Sequence, residues 1–171
     1  MSQPARSFTL GSLYLAGFAQ AGASHAGLII PTSASSGRLV HIHIDRATFS
    51  SWAFQSRDQR IAGEMFLSSL LKLRDLSNGE ISTEQLEEAA ASVPPPPNDE
   101  FGECLPWVLR VVQRLNEMGL VNLTNVDELG REFEDFAAGN KVYATRQKFP
   151  NVKASAFCLW IILYKRELET S

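Results

Sequence analysis

The chain has 171 residues, 44% hydrophobic and 20% charged, and its 16 Lys and Arg against 19 Asp and Glu leave a net charge of −3. That length predicts one domain over residues 1–171, able to bury a core without a disulfide framework or structural metal, and the acidic balance argues against a protein that grips nucleic-acid phosphates. The longest apolar run, Ala156 to Tyr164, has nine residues where a membrane helix needs about 20. The opening MSQPARSFTL carries no apolar secretory core, and two cysteines are read as free thiols. The expectation is a cytoplasmic protein with no integral membrane segment.

Phe8 to Gln20 reads as a buried strand with a bulge at a glycine. A turn over residues 21–24 leads to a second strand, Ala26 to Pro31, and Thr32 to Gly37 is a loop. Arg38 to Asp45 alternates, with Val40, Ile42 and Ile44 on one side and Leu39, His41 and His43 on the other. Phe49 to Gln55 is a candidate fourth strand, and the brief loops favour an antiparallel meander. Met65 to Leu76 fits helix or strand, and strand is preferred.

Ser82 and Gln85 have the spacing of a capping box, which predicts a helix over Ser82 to Ser92. Pro94 to Pro97 then form a stiff extended connector, read as a surface crossing within the domain. Glu103 to Met118 is the best helix, with Trp107, Val108, Val111, Val112 and Leu115 on one face. Pro106 is tolerated only in a first turn, which puts Cys104 at the helix start, and Gly119 ends it. Asp127 to Ala138 is a further amphipathic helix. Lys141 to Lys148 is a candidate short helix, and Ala156 to Tyr164 favours a buried helix over a strand.

The chemistry-bearing residues are few. The three histidines, His25, His41 and His43, all lie on the early strands, and Cys104 sits where unpaired N–H groups and the helix dipole favour a thiolate. A thiol paired with an imidazole is the logic of an activated cysteine nucleophile. The plainer reading makes Cys104 a small buried residue, His41 and His43 polar residues of a strand face, and His25 part of a turn. A third reading gathers the three histidines and Cys104 around zinc. Its glycine and His-x-His faintly resemble a cupin barrel, but the glutamate expected a few residues later is missing. The expectation is no metal and no cofactor.

Taken in order, Ser24-His25-Ala26-Gly27-Leu28-Ile29-Ile30, then Leu39-Val40-His41, then Glu103-Cys104-Leu105-Pro106-Trp107-Val108 resemble a circularly permuted papain-like domain. The similar groups are the lecithin:retinol acyltransferase-like proteins, the PPPDE-type peptidases and the permuted NlpC-type proteins. A closer similarity is to an uncharacterised fungal family with a His-x-Gly-hydrophobic strand, a valine–proline segment and Cys-x-x-Trp-Val opening the next helix. The resemblance covers roughly residues 10 to 140. Two positions depart from it: Ala26 stands where an aromatic often follows the histidine, and Glu103 where an asparagine often precedes the cysteine. A carboxylate beside Cys104 disfavours the thiolate unless it points away.

The resemblance implies an α+β fold, a small antiparallel sheet with the cysteine-bearing helix packed across it. It also implies a catalytic set of Cys104 as nucleophile, His25 as base and His41 as the residue that orients His25. The implied activity is cysteine-dependent acyl transfer on a small-molecule or peptide acyl substrate, as a hydrolase, acyltransferase or cyclase. The alternative is a non-catalytic binding module or pseudoenzyme on the same fold.

Overall fold

The computed structural model describes residues 8–20, 24–44, 47, 51–144 and 149–158. In chain order these form β1 (Leu13–Phe18), β2 (His25–Pro31), β3 (Ser36–His43), β4 (Ala53–Arg60), β5 (Leu67–Arg74), α1 (Thr83–Ala91), α2 (Cys104–Glu117), α3 (Val126–Ala138) and β6 (Asn151–Ala154). The fold is mixed α+β around a six-stranded sheet of order β4-β3-β2-β1-β5-β6. The expected wholly antiparallel sheet needs correcting at its edge. The first five strands pair antiparallel, and β6, which the sequence did not announce, runs parallel to β5. A parallel neighbour requires a long crossover, and here the three helices lie within it.

Strand alternation sorts the sheet into two faces. Leu13, Leu15, Ala26, Leu28, Val40 and Ile42 pack with Leu86 of α1, Trp107, Val108 and Val111 of α2 and Phe133 of α3. The other face gathers Tyr14, Ala16, Ile29, Leu39, Leu67 and Leu70. Trp107 is fully buried, and its indole N–H donates to the Val93 carbonyl at 2.9 Å, so the largest apolar side chain of α2 also ties down the end of α1. The capping box is present in both directions, with the Gln85 N–H donating to the Ser82 hydroxyl and the Ser82 N–H to Gln85 Oε1. It holds α1 in place for Leu86, Ala89 and Ala90 to reach the core.

The fourth strand lies later than expected, over Ala53–Arg60 rather than Phe49 to Gln55. Its sequence, AFQSRDQR, is polar because β4 is an edge strand that buries little, so hydrophobic periodicity does not mark it. The bulge foreseen at a glycine falls at Gly17, where the β1–β5 register shifts. Lys141–Tyr143 make one 3₁₀ turn, and the remainder of the Lys141 to Lys148 helix lies outside the described residues. Residues 156–158 are helical, and the rest of the Ala156 to Tyr164 run also falls outside them.

Candidate functional site

The site begins where β2 and β3 part. Their pairing runs from Pro31↔Gly37 to Leu28↔Val40 and goes no further, although β2 stays paired to β1 through His25. Beyond that point a side-chain bond replaces the ladder. His25 Nε2 lies 2.9 Å from His41 Nδ1, and His41 Nε2 lies 2.8 Å from Gln55 Oε1. The Gln55 oxygen only accepts, so His41 donates from Nε2 and accepts at Nδ1, and His25 donates from Nε2. That ordering leaves Nδ1 of His25 as the basic lone pair at the end of the chain, with no hydrogen-bond partner among the described residues.

Gly27 makes room for β3 beside this pair. A Cβ there would lie 2.8 Å from Leu39 Cδ1 and 3.2 Å from the His41 Cβ. A side chain at this glycine of β2 would therefore crowd β3 at Leu39, Val40 and His41. His43 does not join the hydrogen-bonded chain; its ring stacks on His41 at 5.6 Å between centroids. Gln55 was missed by sequence reasoning. Its only signal is its register opposite His41 on β4, which needs the strand to be placed first.

The electrostatics keep both rings neutral. Burial, then the Arg57 and His43 charges, lowers His25 to about 4. Burial lowers His41 to about 3 against the opposing bond from Gln55. Cys104 is the first residue of α2 and is 6% exposed. Burial pushes its thiol up and the Glu103 carboxylate adds to the rise, while the backbone N–H groups of Ala26, Leu105 and Cys104 itself act the other way. The Ala26 amide can serve the sulfur because Ala26 has no β3 partner.

Residues 13–122 match the family of unknown function DUF6540. The chain belongs to that family. Neither the curated proteins nor the solved structures gave a match. The DUF6540 span runs from β1 to just beyond α2, so His25, His41, Gln55 and Cys104 all lie inside it, and α3 and β6 lie outside.

The structure brings His25, His41 and Gln55 into one chain and places Cys104 one residue along from His25, at the Ala26 amide. It does not join thiol and imidazole: among the described residues no hydrogen bond links Cys104 to either ring. Cys104 belongs to the helix-side core with Ala26, whereas His25 alternates to the other face with its neighbour Phe18. Each group lines its own cleft. Cys104 and Ser24 end a cleft of about 710 Å³ floored by Leu105, Leu109, Phe133 and Ala137. His25 lines one of about 700 Å³ with Phe18, Arg57, Gln59 and Phe66. The second cleft is built entirely within the DUF6540 span, whereas the first borrows α3. Both nitrogens of His41 are engaged in hydrogen bonds, which leaves that ring no lone pair for a metal in this arrangement.

Proposed function

We propose that this DUF6540 chain is a cysteine-dependent acyl-transfer enzyme on the permuted papain-like plan, acting on a small-molecule or peptide acyl substrate. The observation that carries the reading is the His25–His41–Gln55 chain, which fixes one tautomer of His25 and leaves Nδ1 as a base next to the residue whose amide faces the Cys104 sulfur. In the reaction, Sγ attacks the acyl carbon and the thiol proton passes by way of a water around the strand end to His25 Nδ1, because the ring rests on the other face of the sheet from the sulfur. The leaving group departs with that proton and a thioester remains on Cys104. Water, an amine or an alcohol then takes the acyl group and returns a proton through His25. N–H groups at the start of α2 would hold the oxyanion. His41 keeps His25 oriented.

A second reading has its own support. With the thiol raised and His25 lowered to about 4, the resting pair is neutral and no thiolate–imidazolium pair forms unaided, as suits a binding module that kept the fold. Covalent labelling separates the two. A β-lactone probe followed by intact-mass measurement should add one acyl group to the wild type and to Cys158→Ala, and none to Cys104→Ala. Equal labelling of both single variants would remove Cys104 as nucleophile.

A further inference from the structure

The four prolines between α1 and α2 make a surface feature that the acyl-transfer reading leaves unused. Each proline fixes its own φ, and every residue from Val93 to Pro96 precedes a proline and is pushed to extended ψ. The sequence therefore dictates a polyproline II strap, with three residues per turn. Its two ends are anchored by tryptophans. Trp107 donates to the Val93 carbonyl at 2.9 Å. The Trp52 backbone N–H donates to the Asn98 carbonyl at 3.0 Å, and its indole N–H to the Glu100 carbonyl at 3.0 Å.

Exposure along the strap follows the threefold period. Pro96 is buried against the body, Pro95 is half-buried, and Pro94 and Pro97 are exposed. Residues three apart share a face, so Pro94 and Pro97 form one ridge, ~9 Å from end to end at ~3.1 Å per residue. Asp99, Glu100 and Phe101 follow and are all exposed, Phe101 at 73%.

We infer that residues 94–101 are a preorganised ligand for a polyproline-binding domain whose aromatic-lined groove has a basic rim. Grooves of that class take two prolines of one ridge between aromatic rings. Pro94 to Pro97 are held extended by their own rings before the chain bends at Pro97–Asn98, so little ordering entropy opposes docking of that ridge. Asp99 and Glu100 set the choice of partner: a Lys/Arg rim is attracted, and an acidic rim, suited to basic-flanked prolines, is repelled. Phe101 adds an apolar anchor beyond the ridge. Pro96 faces the body and takes no part in the contact.

Calorimetric titration of the full chain against two purified domains tests this: an EVH1 domain with a basic rim and an SH3 domain with an acidic rim. The expected result is saturable binding to the EVH1 domain, weakened at least ~10-fold by Pro94→Ala/Pro97→Ala and by Asp99→Lys/Glu100→Lys, and weakened by added salt. Circular dichroism should show both variants folded, since neither touches Pro96, and Glu100 anchors Trp52 through its backbone carbonyl, which the substitution keeps. No binding to the EVH1 domain, binding that survives Pro94→Ala/Pro97→Ala in a folded chain, or preference for the SH3 domain would each overturn the proposal.

Discussion

The two faces of the sheet are built from the same strands by the same alternation, yet they hold different things. One carries the apolar faces of three helices, centred on Trp107 and Phe133, with Cys104 at its margin. The other has its own apolar cluster and, at the end where β2 and β3 part, the imidazoles of His25 and His41. Packing secures the first face and hydrogen bonding secures the end of the second. A buried imidazole pair tolerates little protonation, whereas an apolar helix face is indifferent to pH.

The largest effect should come from the helix-packed face. Trp107→Ala removes a fully buried indole and the anchor at Val93, and should cost ~3–5 kcal/mol in urea unfolding. Phe66→Ala, at a side chain 55% exposed beside the His25 cleft, should stay within about 0.5 kcal/mol. Similar losses from both would erase the contrast between the faces.

Acid should single out the histidine end. Both rings are depressed below their ordinary 6.5, to about 4 and about 3. Their stabilising contribution is complete above the unfolded pKa near 6.5. It drains as pH falls below that value, because the unfolded chain takes up protons that the folded chain refuses, and the loss is complete only below the folded values. Melting temperature should drop from pH 6.5 to 4 as the pair loses that contribution. A His25→Gln/His41→Gln variant should show a flatter profile over that window. Identical slopes would mean that the rings are not buried as a neutral pair.

The finest distinction lies within the histidines. His41→Ala should free His25 from its single tautomer, visible as averaged ¹⁵N shifts of the His25 ring. It should also lower acyl-transfer turnover severely, by analogy with loss of tautomer control in triads. His43→Ala removes a stacked neighbour of His41 and the least of the influences that lower His25, and should leave His25 in its single tautomer, with turnover reduced far less than by His41→Ala. An effect of His43→Ala equal to that of His41→Ala would move the orienting role one pleat along.

Much of this molecule is legible as sequence because it rests on local rules. The capping box at Ser82 and Gln85, the start of α2 at Cys104 ahead of Pro106, and the opposite faces of Val40 and His41 all follow from spacing. So does the proline strap, since proline sets its own backbone. The position of β4 does not follow, because an edge strand buries too little to show a period. The parallel pairing of β6 with β5 depends on a crossover through three helices, which no local pattern encodes. For the site, the residues could be nominated but not assembled. The His25–His41 bond exists because β2 and β3 stop pairing after Leu28, and Gly27 leaves space for β3 alongside. Gln55 enters only through the β3–β4 register. The relation of Cys104 to His25 is likewise tertiary: the packing of α2 brings the sulfur to the Ala26 amide, and strand alternation turns the neighbouring imidazole to the other face.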